Sequence, residues 1–229
     1  INNLDEFQPL LPLPGVRLGW VRLPADLAAA DWVILPGSKN TTADLAWLRA
    51  QGLDRAVAAH AGAGRAVLGI CCGLQMLGEA LIDPQAVAGN GPGLGLLPLV
   101  TLFEPDKTVT RTTARFGELQ GAWSALSGVG VTGYEIHQGQ AAQHPAMARA
   151  GDVARTALTS ADGHTLGWQN AAGNVLGLYL HGLFEEPAVL QALFGVAVPT
   201  LDAVFDGLAD FIEAYFEPGV LDALVACDG

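Results

Sequence analysis

The stretch AVLGICCGLQMLGEAL, Ala66 to Leu81, changes character at its middle. Ala66 to Ile70 is a short apolar run of the kind that forms a buried strand, whereas Leu74, Met76, Leu77 and Leu81 recur at helical spacing. A strand therefore runs straight into a helix at Cys71. Gly69 and Gly73 flank the corner, which permits a sharp turn and leaves room beside it. The same geometry presents the nucleophile in hydrolase elbows. A thiol at a helix N-terminus faces the positive end of the macrodipole, which favours the thiolate. The backbone N–H of Cys72, unpaired in the first turn, can face a developing oxyanion. The competing reading makes both cysteines small buried hydrophobes of a βα unit. The neighbouring segments decide between the two.

Upstream, Trp32 to Leu35 is a second short buried strand, and Pro36, Gly37, Ser38 and Asn40 force a loop. Thr41 or Thr42 offers a cap for a helix over Ala43 to Ala50, with Leu45 and Leu48 inward and Gly52 as the stop; Leu53 to Ala61 forms another. Repeated strand–turn–helix units imply a parallel sheet covered on both faces. A Gly-Ser loop at the carboxyl end of such a strand is where ligands sit in open α/β sheets. Before these units, Gly15 to Leu23 alternates like a strand with one wetter face. Past Ile82, a Gly- and Pro-rich loop around Gly89 to Gly95 leads to strands over Leu96 to Phe103, Lys107 to Phe116 and Val131 to Gln140, an antiparallel extension of the sheet. Gln140 to Ala161 is weakly patterned and is expected to be irregular or exposed. A hairpin follows: Leu166 to Gln169, a turn over Ala171 to Asn174, then Val175 to Leu180, which delivers His181 at its end. Pro187 starts a helix continued by Ala188 to Phe194, and Leu201 to Tyr215 reads as an amphipathic helix packed on the domain's own edge.

Composition narrows the function classes. A chain of 229 residues with 51% hydrophobic residues can bury a real core. Eleven Lys plus Arg against 23 Asp plus Glu leave a net charge of −12, with no basic surface for a phosphate backbone or anionic lipid, so neither nucleic acid nor membrane is an expected partner. Three cysteines without C-x-x-C spacing favour a reducing cytoplasm and no structural metal. The start, INNLDEFQPL, lacks a methionine and reads like an interdomain passage, so residues 1–14 are expected to be a linker from a preceding domain.

Five histidines are available to partner Cys71. His60 lies mid-helix among alanines, and His144 and His164 sit in polar loop context; all three read as surface residues. His181 ends an apolar strand and is followed by Gly182, at the carboxyl edge where Cys71 should emerge. A Cys–His pair supplies a base for the thiol proton and an acid for a leaving amine. His137, in GYEIHQG, is the rival, and with Tyr134 it could instead line a substrate pocket.

At this point five ordered segments carry a resemblance. GICCGLQMLG resembles the G-x-C-x-G-x-Q nucleophile motif of triad-type glutamine amidotransferases. LPGSKNTTADLAWLRAQGL, GLGLLPLVT, GYEIHQG and YLHGLF resemble the glutaminase domains of the cobyric acid synthase family, which amidates side chains of the corrin ring. The match runs from Ile1 to about Phe194. The resemblance implies a flavodoxin-like, mostly parallel sheet with helices on both faces, over residues 15–199, with 200–229 as a helical extension. It implies that Cys71 attacks the glutamine carboxamide with His181 as base and then acid, that the N–H groups of Gly37 and Cys72 hold the oxyanion, and that Gln75 helps bind glutamine. It also implies a preceding synthetase domain that uses ATP and Mg²⁺, binds the corrinoid acceptor and receives the ammonia; no cofactor is implied for the chain itself.

Two positions depart from the pattern. Cys72 stands where a glycine is common, and Leu183 stands where the wider superfamily carries a glutamate two residues after the histidine. Glu185, Glu186 and Glu135 lack that spacing. The reading is a Cys–His dyad whose imidazole is fixed by backbone or by a remote carboxylate. Three rivals stay open: a glutaminase serving a peptidoglycan lipid precursor, a catalytically silent interaction module, and a cysteine hydrolase on the same scaffold.

Overall fold

The computed structural model describes residues 4–197 and 201–215; the ends of the expected linker and of the helical extension, residues 1–3 and 216–229, lie outside the described residues. In chain order the elements are β1 (Trp32–Leu35), α1 (Thr41–Ala50), α2 (Leu53–Gly62), β2 (Ala66–Ile70), α3 (Cys72–Leu77), β3 (Ala80–Ile82), β4 (Gly91–Pro92), β5 (Leu99–Phe116), β6 (Gly130–Gln143), α4 (Pro145–Arg149), β7 (Arg155–Ser160), β8 (Thr165–Gln169), β9 (Val175–Leu178), β10 (Leu180–His181), α5 (Pro187–Phe194) and α6 (Leu201–Tyr215). One sheet contains all ten strands, ordered β1-β2-β9-β8-β7-β5-β3-β4, with β6 pairing both β5 and β10.

Three neighbours, β1, β2 and β9, run parallel, with Leu35 opposite Gly69 and Ile70 opposite Leu178. β3 is also parallel to β5. The antiparallel extension is extensive: β9 pairs β8, β8 pairs β7, β7 pairs one end of β5, and β5 forms a long ribbon with β6 that is interrupted by a bulge between Leu102 and Lys107.

Side chains leave a strand on alternate faces, and the core divides accordingly. Ala66, Leu68 and Ile70 of β2 join Leu176 and Leu178 of β9, Trp123 and Leu190 on one side. Val67 and Val175 join Leu45 of α1, Val57 of α2 and Leu74 of α3 on the other. Covered on both faces, β2 is buried at every residue, as a central parallel strand must be.

Several sequence expectations change in three dimensions. Residues 16–22 form no strand; Val16 and Leu18 pack inward while Arg17 stays exposed, so the alternation is satisfied by lying over the core without a ladder partner. The segment before them is part of the domain's packing: Leu4–Leu10 is a 3-10 helix, and Phe7, Leu10 and Leu13 are buried in the core, with Phe7 against the rings of Trp20 and Phe184. The cap of α1 is Asn40, whose side chain accepts from the Ala43 N–H, instead of a threonine. The weakly patterned region past Gln140 holds the end of β6, α4 and β7. His60 is buried, not on the surface, and its Nε2 lies 3.2 Å from the Ala66 carbonyl. Burial pushes its pKa down. Finally, along α6 the apolar residues Phe205, Leu208, Phe211 and Tyr215 are exposed instead of packed on the domain.

Candidate active site

Three adjacent parallel strands deliver three groups to one edge. The loop after β1 brings Gly37, the end of β2 brings Cys71, and β10, one residue beyond the end of β9, brings His181. The Cys71 N–H donates to the Leu178 carbonyl at 2.7 Å, so the β2–β9 ladder runs up to Cys71 itself. Parallel neighbours end at the same side of a sheet, and for this reason residues separated by long stretches of chain meet here.

The corner at Cys71 is strained. Its φ of 55° and ψ of −111° lie where side-chain-bearing residues are rare, and such conformations persist only where the surroundings hold them. The surroundings are glycines: a Cβ on Gly73 would stand 1.9 Å from the Leu35 carbonyl oxygen, and one on Gly69 would stand 2.6 Å from the Gly73 carbonyl carbon. Helix α3 thus lies directly on β1 and β2, and the turn has no room to relax.

A Cβ on Gly37 would approach His181 Cε1 to 2.9 Å, His181 Nε2 to 3.8 Å and the Cys71 Cβ to 3.8 Å. Gly37 therefore lies close to both the imidazole edge and Cys71. Cys71 and His181 are both buried. The Cys71 thiol donates to the Ile136 carbonyl of β6 at 3.0 Å, and its sulfur is 3.9 Å from that of Cys72, whose own thiol donates to the Ser38 carbonyl at 3.0 Å. Sharing a hydrogen bond with Cys72, then burial, pushes the Cys71 thiol well above its ordinary value. The Cys72 thiol is pulled down to about 6, first by the hydrogen bond from Cys71 and then, against burial, by the Thr41 hydroxyl and the Ser38 backbone. Burial and the hydrogen bond to the Ile136 carbonyl both favour the neutral thiol of Cys71.

His181 meets a residue the sequence reading did not find. Glu6 Oε2 lies 3.1 Å from His181 Nδ1, both side chains buried and 175 residues apart in sequence. A signal was present, since DEFQPL sets two acids directly before the apolar residues Phe7 and Leu10, but nothing local says where that segment packs. Glu185 and Glu186 occupy the turn after His181, where Glu186 Oε2 accepts from the Thr132 N–H.

The other expected residues are placed as follows. Gln75 is buried, its Oε1 accepting from Thr41 Oγ1 and its Nε2 donating to the Gln138 carbonyl, both at 3.0 Å, so it ties α3 to α1 and β6. His137 is buried and stacked on Tyr179; its Nδ1 lies 2.8 Å from the Gly139 carbonyl and its Nε2 2.8 Å from Glu135 Oε1. With both nitrogens facing acceptors, it has none to offer a thiol. Tyr134 pairs with His181 across β6 and β10, and its side chain is exposed. Among the described residues no group of three or more His, Cys, Asp or Glu side chains could hold a metal ion, and no helix is long and apolar enough to cross a membrane.

The chain is similar to known proteins in sequence and in fold. A family profile described as CobB/CobQ-like glutamine amidotransferase domain matches residues 1–189. The cobyric acid synthase of Polaromonas sp. (strain JS666) is 72% identical over 226 residues, covering 99% of this chain and 44% of the relative. That of Polaromonas naphthalenivorans is 69% identical over 229 residues, covering 99% of this chain and 46% of the relative. The chain spans less than half the length of these curated relatives. A crystal structure of a glutamine amidotransferase covers 84% of this chain and 92% of its own with a TM-score of 0.55 at 18% identity. PurLQS from Thermotoga maritima covers 73% of this chain and 80% of its own with a TM-score of 0.51 at 17% identity. Both likenesses are of fold.

Proposed function

The chain belongs to the family of CobB/CobQ-like glutamine amidotransferase domains, and from that membership we propose that it releases ammonia from glutamine for the amidation of corrinoid carboxylates in cobalamin biosynthesis. The observation that carries this reading is the meeting of Cys71, His181 and Gly37 at the ends of three adjacent parallel strands.

The chemistry follows from the arrangement. His181 Nε2 takes the Cys71 proton as the sulfur attacks the side-chain carboxamide carbon of glutamine, and the negative charge moves to the carboxamide oxygen. The Gly37 and Cys72 N–H groups stabilise that oxygen. His181 returns the proton to the amide nitrogen, the C–N bond breaks, and ammonia leaves behind a glutamyl thioester. Water, deprotonated by the same imidazole, then cleaves the thioester to glutamate and free thiol. Gln75 acts by bracing α3 behind the nucleophile. ATP, Mg²⁺ and the corrinoid belong to a synthetase part outside this chain, in keeping with the greater length of the curated relatives. A sealed route between the parts protects ammonia from protonation. A reducing cytoplasm suits the reaction, because Cys71 works only as a free thiol.

The test uses the full-length protein with glutamine labelled at its amide nitrogen, together with a glutamine-analogue diazoketone and peptide mapping. The expected result is one adduct, on Cys71, glutamate release that Cys71→Ala abolishes, and label in a corrinoid carboxamide. Absence of both adduct and glutamate would overturn the glutaminase reading. Label entering a peptidoglycan lipid precursor instead would overturn the acceptor.

A further inference from the structure

We propose that Glu6 is the positioning residue for His181, completing the Cys71–His181 pair from the segment before the first strand; this rests on the glutaminase reading above. The contact is specific in its atoms. An ionised carboxylate only accepts hydrogen bonds, so the 3.1 Å approach of Glu6 Oε2 to Nδ1 requires the proton on Nδ1 and leaves Nε2 as the free base. Nε2 belongs to the ring edge that faces Gly37, beside Cys71. One hydrogen bond therefore selects both the tautomer and the aim of the ring.

The position is held for this purpose by its neighbours. Glu6 lies in the 3-10 helix Leu4–Leu10, whose Phe7 and Leu10 are buried in the core, and Phe7 packs on Phe184, three residues after the histidine. The same aromatic pair thus fixes the spacing between the carboxylate and the imidazole. Glu6 Oε1 is buried without a hydrogen-bond partner among the described residues. A carboxylate held that way costs desolvation that the single contact to His181 offsets poorly, so stability alone does not account for it. The position two after His181 is Leu183, fully buried and apolar, and cannot serve. The spatial role is filled from the opposite end of the chain.

The experiment compares full-length wild type, Glu6→Gln and, as a control for loss of charge at the exposed neighbouring acid, Asp5→Asn. Glutamine hydrolysis gives kcat and KM, and ¹⁵N spectra of histidine-labelled protein give the His181 tautomer, its signals identified by their loss in His181→Ala. A glutamine amide can donate to Nδ1 and hold the opposite tautomer. The expected result for Glu6→Gln is a fall in kcat of about a hundredfold or more with KM within about threefold, and a His181 proton shared with or moved to Nε2. Asp5→Asn should match wild type in both. A wild-type His181 protonated on Nε2, or a Glu6→Gln enzyme that keeps its kcat within about threefold, overturns the role of Glu6. Wild type that hydrolyses no glutamine sinks the glutaminase reading instead, and the tautomer still decides Glu6.

Discussion

Gly37→Ala isolates geometry from chemistry at this site. The substitution keeps the backbone N–H proposed to hold the oxyanion and adds a single methyl group. That methyl would stand 2.9 Å from His181 Cε1, whereas carbon atoms in good contact sit at about 3.5–4.0 Å. The ring must then retreat by roughly 0.6 Å or more. It cannot do so freely, because Nδ1 is held by Glu6 at 3.1 Å and the side chain is buried. Either the hydrogen bond to Glu6 breaks or Nε2 turns away from Cys71. Displacements of this size at reacting groups cost about tenfold to a hundredfold in rate. The distance from the new methyl to the Cys71 Cβ, 3.8 Å, is ordinary contact, so the nucleophile itself stays in place. The global cost of one extra buried methyl is about 1–3 kcal/mol. Steady-state glutamate release by full-length Gly37→Ala should therefore show kcat down about tenfold to a hundredfold with a folded protein and a thermal midpoint lowered by a few degrees. Full activity in a folded variant would show slack between Gly37 and His181 and would refute the tight Gly37–His181–Cys71 arrangement from which the mechanism is built.

Two further outcomes follow from the corner itself. Cys72→Gly should hydrolyse glutamine within about threefold of wild type, because the backbone N–H remains and the thiol has no assigned role; a loss as complete as that of Cys71→Ala would move the nucleophile. In the wild-type protein without glutamine, iodoacetamide should reach Cys72 before Cys71, at a rate that climbs as pH rises through about 6, since the thiolate of a depressed thiol dominates above its pKa. Earlier labelling at Cys71, read by fragmentation of the shared peptide, would reverse the assignment of the two thiols. Gly73→Ala should cost roughly 3 kcal/mol or more, since its Cβ would meet the Leu35 carbonyl oxygen at 1.9 Å and backbone cannot rotate away; a urea midpoint near that of wild type would mean that α3 is free to lift off β1.

How much of this was legible in one dimension depends on the range of the interaction concerned. The elbow at Cys71 is a local object: five apolar residues, two glycines and a helical period suffice to describe it, and the structure has the same strand, corner and helix. The hairpin that ends at His181 is equally local, and both segments lead to the same sheet edge because parallel neighbours end together. That both ends of the Gln75 amide are occupied by Thr41 and Gln138 could not be read from the linear pattern, since those partners come from other elements. His60 looks like a surface residue among alanines, yet the turn from α2 into β2 buries it against Ala66.

The amino-acid sequence by itself determined the α/β architecture, the strand-to-helix corner at Cys71 and the strand that carries the imidazole, because periodicity and turn chemistry act over a few residues. Only the tertiary structure decided how the imidazole is oriented. Glu6 and His181 are 175 positions apart, and nothing in a linear pattern encodes their contact. It exists because Phe7 and Leu10 seek the same apolar core that encloses Phe184, and burying them brings the preceding acid against the histidine.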